Sequence, residues 1–363
     1  MQARRNAQAR QRAASRKGAA INKMNEISIK NVLPKAALPG GEVIIEYSGR
    51  GLAATSQPQV RFGDFSAQVT MASSDHIVAK VPEPSAELGT SELVVATNGD
   101  TSRPFTYEVG KRLASNLHPV ANPAIDAEGN IYATYSGRRG QKTPVSIYKV
   151  TPKGGVTPFV TDIVNATGLA FSQTGDLFVS SRYEGNVYRV DPAGRTELFT
   201  EGMGIASGIA FDRDGNLYVG DRSGSIFKIS ASKETFVFAT LEPSIAAYHL
   251  AFGFDKYLYV AGPTTSSFDS IYRISPSGQV ERFFTGLGRP QGLAFDSDGH
   301  LYAVASHRGR RGIFRFRDPK QPELVVAGVS LVGLAFDSHE NLMIVDAGSL
   351  YRVRLGITGK PLP

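Results

Sequence analysis

Hydrophobic and polar residues alternate along most of the chain in short segments, which are separated by turns rich in glycine, proline and acidic residues. The stretches GIAFDRDGNLYV from Gly208 and GLAFDSDGHLYA from Gly292 show the pattern: an apolar segment, a polar turn and a second apolar segment. Alternation with a period of two is typical of β-strands, and tight turns between such segments are typical of hairpins. The pattern therefore predicts an all-β protein.

The same motif occurs in six copies, and its central alanine recurs every 40 to 46 residues. Each copy continues with a third alternating segment and usually with a fourth. Four short strands in a repeat of about 40 residues are typical of a propeller blade, whose faces are covered by neighbouring blades. We predict a six-bladed β-propeller over residues 109–357, followed by a tail at 358–363. The copies begin at Asn122, Gly168, Gly208, His249, Gly292 and Gly333.

The last copy supplies only three segments, and a fourth is found ahead of the first copy. The stretch from Val109 to Asp126 aligns with the stretch from Val280 to Asp296, which contains a fourth segment. A strand at 109–115 would complete the sixth blade and remove the exposed edge of an open sheet.

These copies resemble NHL repeats and the six-bladed propellers of the gluconolactonase class. The resemblance implies a divalent cation, which such hydrolases hold with Glu, Asn and Asp side chains near the innermost strands. The chain carries no carboxylate at the equivalent positions, so we expect no metal site and no cofactor, and we favour a protein that is not an enzyme. The alternative is a metal-dependent lactone or sugar-acid hydrolase or lyase of this class, with His118 or His249 as an acid or base. The positions equivalent to the metal ligands of such hydrolases are Ala121, Thr167, Ser207, Tyr248, Gln291 and Val332.

Residues 26–108 contain about seven alternating segments without the repeat, which predicts a small β-sandwich. The stretches LPGGEV from Leu38, VRFGD from Val60 and TNGDTSRPFTY from Thr97 resemble an IPT/TIG domain of the immunoglobulin-like class. The resemblance implies a spacer or docking role.

The formal net charge of +7 is distributed unevenly. Residues 1–25 hold seven of the 40 basic residues and no acidic one, so 33 basic residues face 33 acidic ones in the rest. We interpret 1–25 as a basic, disordered leader, because no apolar run of a signal peptide follows its charges. No segment reaches the roughly 20 apolar residues of a membrane span, so we expect a soluble protein of unassigned compartment, with the cytoplasm favoured. Nucleic acid is not expected as a partner except through this leader.

Asp212, Asp214 and Asn216 are spaced like the first ligands of a calcium loop. An EF-hand loop also needs glycine at position 6 and glutamate at position 12, where this chain has Leu217 and Ser223. We therefore predict a tight turn between two strands instead of a calcium site.

In an antiparallel blade, the loop between the second and third strands lies on the same side as the segment that precedes the first strand. Arginines concentrate in these connections, so we predict an arginine-rich face that recognises an anionic small molecule or an acidic protein surface. RNA binding through this face and the leader is a third hypothesis, which predicts strong weakening by salt. The candidate residues are Arg138, Arg139, Arg182, Arg222, Tyr248, His249, Arg289, Gln291, Arg308, Arg310 and Arg311.

Overall fold

The structure, a computed structural model, describes residues 27–49, 57–97, 100–266, 268–318 and 321–359. The predicted leader and the last four residues of the predicted tail lie outside these ranges. The described residues form 32 strands and one short 3₁₀ helix, Glu83–Glu87, which confirms the all-β prediction. Within this part of the chain, no helix has the length and apolar character needed to cross a bilayer. The chain divides into two compact units between Val109 and Gly110.

The first unit is a two-sheet sandwich. Its strands follow the order β1-β3-β6-β5-β4-β7-β9-β2, with β8 paired to β7. Strand β5 belongs to both sheets, because one part of it pairs with β4 and the other with β6. The strands are β1 (Ser28–Leu33), β2 (Ala36–Ala37), β3 (Glu42–Ser48), β4 (Gln59–Phe62), β5 (Phe65–Ala72), β6 (His76–Lys80), β7 (Thr90–Thr97), β8 (Asp100–Thr101) and β9 (Phe105–Val109).

Alternate side chains of these strands fill the space between the two sheets. Ile45, Phe62 and Leu93 are fully buried, while their chain neighbours are more exposed. Tyr107 packs edge to face on Phe62 with ring centroids 5.8 Å apart, and its hydroxyl donates a hydrogen bond to the Pro34 carbonyl over 2.8 Å. The period-two pattern of the sequence thus forms the core of this unit.

The second unit is a β-propeller built from antiparallel meanders. Its strands are β10 (Lys111–Ala114), β11 (Ala124–Ile125), β12 (Ile131–Thr134), β13 (Ile147–Val150), β14 (Val156–Val160), β15 (Ala166–Phe171), β16 (Leu177–Ser181), β17 (Asn186–Val190), β18 (Thr196–Thr200), β19 (Ala206–Phe211), β20 (Leu217–Asp221), β21 (Ser225–Ile229), β22 (Thr235–Thr240), β23 (His249–Phe252), β24 (Leu258–Ala261), β25 (Asp269–Ile274), β26 (Val280–Phe295), β27 (Leu301–His307), β28 (Arg310–Phe316), β29 (Glu323–Ala327), β30 (Leu331–Phe336), β31 (Asn341–Asp346) and β32 (Leu350–Arg354).

Four of its sheets are separate and have four strands each: β11–β14, β15–β18, β19–β22 and β10-β32-β31-β30. The strands from β23 to β29 form a continuous path, because β26 pairs with β25 through its first half and with β27 through its second half. The six-blade count therefore stays a prediction. Strand β10 runs antiparallel to β32, with Lys111 opposite Arg352.

Neighbouring meanders interlock through a repeated aromatic pair. In each pair, a ring from the second strand of one meander packs edge to face on the motif phenylalanine of the next, with centroids 4.8 to 5.4 Å apart. Such pairs contribute about 0.5–1.5 kcal/mol each beyond the area they bury. The pairs are Tyr132 with Phe171, Phe178 with Phe211, Tyr218 with Phe252, Tyr259 with Phe295, and Tyr302 with Phe336.

The first residue of the motif is glycine in four copies because neighbouring backbones approach closely there. A Cβ atom added to Gly208 would lie 2.2 Å from the Tyr248 carbonyl oxygen, and one added to Gly168 would lie 2.3 Å from that of Ser207.

We call the motif-bearing strands the inner strands, and they surround a central cavity. The inner strands are β11, β15, β19, β23, β30 and the second half of β26.

Candidate functional site

Four of the six motif turns begin with an aspartate that holds the turn together, and Asp212 shows how. Its Oδ1 accepts hydrogen bonds from the backbone N–H groups of Asp214 and Asn216, each over 2.9 Å. Its Oδ2 accepts one from Asn216 Nδ2 over 2.8 Å and one from the Tyr218 hydroxyl over 3.2 Å. The predicted tight turn is confirmed, and the four bonds, three from the turn and one from Tyr218 on β20, engage both oxygens of this carboxylate.

The turn after β26 follows the same plan. Asp296, Asp298 and His300 lie close enough together to hold a cation. However, Asp296 already accepts hydrogen bonds from the His300 ring over 3.0 Å and from the Tyr302 hydroxyl over 3.1 Å. The cluster is explained by the structure of the turn.

The arginine-rich face carries a half-buried guanidinium, that of Arg182, in the loop between β16 and β17. Its Nη2 donates a hydrogen bond to the Gly137 carbonyl over 2.8 Å, whereas its Nε is buried without a partner among the described residues. Asn165 fixes the loop that Arg182 touches: its Nδ2 donates to the carbonyls of Gly137 and Arg138, and its Oδ1 accepts from Gly140 N–H over 2.7 Å. Arg182 is thus held against a rigid loop.

Two further guanidinium groups act on Arg182. The pKa of Arg182 is lowered, first by burial and then by the positive charges of Arg222 and Arg139, and no carboxylate is among the groups that shift it. Arg222 is fixed from the other side, since its Nη2 donates to the Ile245 carbonyl over 2.6 Å. We call Arg139, Arg182 and Arg222 the arginine cluster. It concentrates positive charge and offers N–H donors suited to a carboxylate or phosphate.

The sequence did not identify Tyr183, whose ring borders this cluster. The side chain is 52% exposed and lies against Gly140, where an added Cβ would be 2.9 Å from the ring. An exposed aromatic residue next to Arg182 in the same loop was the available signal, because aromatic and arginine residues are enriched where proteins bind partners.

Three other candidates border a second cavity, of about 450 Å³, on the same face: Arg289, Gln291 and Arg311. Arg289 adopts a left-handed backbone conformation (φ 49°), and its N–H donates to the buried Asp269 carboxylate over 3.2 Å. The structure therefore divides the predicted arginines into two groups. Of the remaining ones, Arg138 is exposed beside Arg139, and Arg308 and Arg310 lie at the turn between β27 and β28.

Tyr248 and His249 lie below the surface. Tyr248 is 3% exposed, its hydroxyl donates to the Glu242 carbonyl, and burial raises its pKa. His249 is 2% exposed and lines the central cavity, and burial lowers its pKa to about 4. Its ring is therefore neutral at physiological pH and does not add charge to the arginine-rich face.

The positions that hold a cation in gluconolactonase-like propellers do not fit a metal here. None is a carboxylate, and the hydroxyl groups are already engaged: Thr167 donates to the Asn165 carbonyl over 2.9 Å, and Ser207 donates to that of Gly220 over 2.7 Å. The nearby Asn122 connects inner strands, since its Nδ2 donates to the Leu293 carbonyl over 2.8 Å and its Oδ1 accepts from Leu334 N–H over 3.2 Å.

Comparison with known proteins supports both folds. Residues 28–109 match the IPT/TIG domain family. The chain is similar to the solved structure of a protein provisionally named a gluconolactonase, with 17% identity and a TM-score of 0.58 over 69% of this chain and 93% of the other.

A gluconolactonase from Xanthomonas campestris shows 16% identity and a TM-score of 0.54 over 84% of this chain and 99% of its own. An auxiliary nutrient binding protein from Bacteroides thetaiotaomicron shows 13% identity and a TM-score of 0.50 over 91% and 98%. No curated protein matches in sequence. The chain thus has an IPT/TIG domain followed by a β-propeller with the fold of the gluconolactonase-like proteins, and at these identities the likeness concerns the fold alone.

Proposed function

We propose that this protein is a binding protein that recognises an anionic group, a carboxylate or a phosphate, at the arginine cluster without transforming it. The observation that carries the proposal is Arg182, a half-buried cation whose pKa is lowered by two other cations and shifted by no carboxylate of the described residues. A buried charge without a counter-ion is unfavourable, and a bound anion would relieve this cost.

The geometry around Arg182 supports a preformed site. Hydrogen bonds to the Gly137 and Ile245 carbonyls fix Arg182 and Arg222, so little side-chain freedom remains to be lost on binding. The buried Nε of Arg182 lacks a partner among the described residues, so the burial of this guanidinium is incompletely compensated within the fold. A nutrient binding protein shares the fold, so a binding function has a precedent on this scaffold.

The test is isothermal titration calorimetry with three probes, citrate, inorganic pyrophosphate and a poly-glutamate peptide, at constant ionic strength. Arg182→Gln removes the central charge, and Arg282→Gln is the matched control, since Arg282 is exposed on the outer half of β26. Hydrogen bonds to charged groups contribute about 1.5–3 kcal/mol, so we expect Arg182→Gln to weaken binding roughly ten- to a hundredfold.

We expect the control variant to bind like the wild type. Binding of citrate or pyrophosphate would identify a small-molecule site, whereas binding of the peptide alone would identify an acidic protein surface as the partner. The proposal is wrong if no probe binds saturably, or if the two variants bind equally well.

A further inference from the structure

The inner strands surround a cavity of about 240 Å³ that is separate from the arginine cluster. Its wall is mostly apolar and consists of the alanine and phenylalanine residues of the motif, such as Ala170 and Phe171 or Ala210 and Phe211. Apolar cavities of about 150 Å³ are known to stay dry and to bind benzene. This cavity therefore has room for one substituted ring, and its lining favours an uncharged molecule.

Two polar residues in the wall depart from the repeat. Four inner strands begin their motif with glycine, at Gly168, Gly208, Gly292 and Gly333, where an added Cβ would lie 2.2 to 2.7 Å from a neighbouring backbone atom. The other two begin with Asn122 and His249, and both residues line the cavity. The Asn122 amide is used by the fold, because it bonds to Leu293 and Leu334.

The His249 imidazole has no such role in the fold. The ring makes no hydrogen bond to a described residue, and burial is the sole cause of its lowered pKa, so no charged group acts on it. A neutral imidazole presents one N–H donor and one nitrogen acceptor. The ring is therefore available to a ligand hydroxyl inside the cavity, which would supply the missing hydrogen bond.

We propose that the central cavity binds a small, uncharged, mostly apolar molecule that carries one hydroxyl group, with the His249 ring as its hydrogen-bond partner. The phenylalanine and alanine side chains contact the apolar part of this ligand, and the imidazole orients it. The site is independent of the arginine cluster, because it uses neither a charged residue nor a cation.

Calorimetry or ligand-observed NMR on the full chain tests this proposal, with phenol as the hydroxylated probe and toluene as its apolar match. His249→Leu replaces the imidazole by an apolar side chain of moderate size and so removes both ring nitrogens. We expect saturable phenol binding that His249→Leu weakens roughly three- to tenfold, as expected for one hydrogen bond, while toluene binding changes little.

His249→Gly is a second variant, in case leucine disturbs the strand, since four other inner strands carry glycine at this position. Arg182→Gln should leave phenol binding unchanged, which separates this site from the anion site. The proposal is overturned if phenol does not bind saturably, if phenol and toluene lose affinity equally in both His249 variants, or if neither variant weakens phenol binding.

Discussion

At the end of β19, the Asp212 carboxylate accepts four hydrogen bonds from its own turn and from the strand that follows it. In the loops and segments at the opposite end of the inner strands, Arg182 has a buried Nε without a partner among the described residues, and His249 makes no hydrogen bond to any of them. One set of polar groups is satisfied within the fold. The other is held in place by the fold but is incompletely satisfied.

This difference separates polar side chains that stabilise the fold from polar side chains that we propose to bind ligands. Buried polar groups in folded proteins are normally hydrogen-bonded, so an exception needs an explanation. The motif turns have the composition of a ligand site, with carboxylates, amides and a histidine, yet their groups bond to each other. Within the part of the chain that the structure describes, the Arg182 Nε and the His249 ring lack such partners. Both of our proposals therefore place binding at the end where Arg182 and His249 lie.

The largest effect should come from pH acting on His249. Folded His249 takes up its proton near pH 4, whereas in the unfolded chain it does so near 6.5. Between these values the unfolded state binds more protons, so stability is complete above about pH 6.5 and falls as the pH falls towards 4. Protonation of His249 in the unfolded chain lowers the free energy of unfolding by about 3 kcal/mol at pH 4.

Urea unfolding of the wild type and of His249→Leu at pH 7, 5.5 and 4 measures this contribution, since all other titrating groups are shared. The wild type should lose about 3 kcal/mol more than the variant between pH 7 and pH 4. Parallel losses in the two proteins would show that folding does not lower the pKa of His249.

The next largest effect on stability should come from replacing Asp212 in its turn. Asp212→Ala leaves the Tyr218 hydroxyl, the Asn216 amide and two backbone N–H groups without their acceptor, and we expect a loss of about 2 kcal/mol. Asp214→Ala in the same turn is the matched control, because the Asp214 side chain is exposed, and it should change stability by less than about 0.5 kcal/mol. Chemical denaturation measures both, and equal losses would contradict the role given to Asp212.

The smallest effect on stability should come from Arg182. Arg182→Gln loses one hydrogen bond but relieves burial of a charge and repulsion by Arg139 and Arg222. The Gly137 carbonyl keeps the Asn165 amide as a donor over 3.0 Å. We expect thermal unfolding to shift by less than the equivalent of about 0.5 kcal/mol. A large loss would mean that Arg182 is a structural residue and would weaken the comparison.

The sequence contained enough to predict the repeat, the all-β class and the IPT/TIG domain, because each depends on a local pattern of alternation and turns. It also placed Arg139, Arg182 and Arg222 on one face, since strand order fixes which loops share a side. The electrostatic influence of these arginines on each other depends on distances between loops of different meanders. The alternation of hydrophobic and polar residues does not encode these distances. For the same reason, the anchoring of the Gly137 loop by Asn165 could not be predicted.

Burial was harder to predict than position. Tyr248 and His249 come directly before or at the start of an inner strand, where the sequence indicated a ligand-binding position on the arginine-rich face. The close approach of neighbouring backbones places these residues below the surface, as the glycines at equivalent positions show. The replacement of glycine by histidine at the start of one copy was visible in the sequence and indicated an exception to the repeat.

The pairing of β10 with β32 has a consequence for biosynthesis. Lys111 pairs with Arg352, so the first strand of the propeller cannot find its partner until nearly the whole unit has left the ribosome. Until then, the emerging chain exposes an unpaired strand edge that can associate with other chains. Completion of this sheet is therefore a late, long-range step, and chains halted before Leu350 should be preferred substrates for chaperones and proteases.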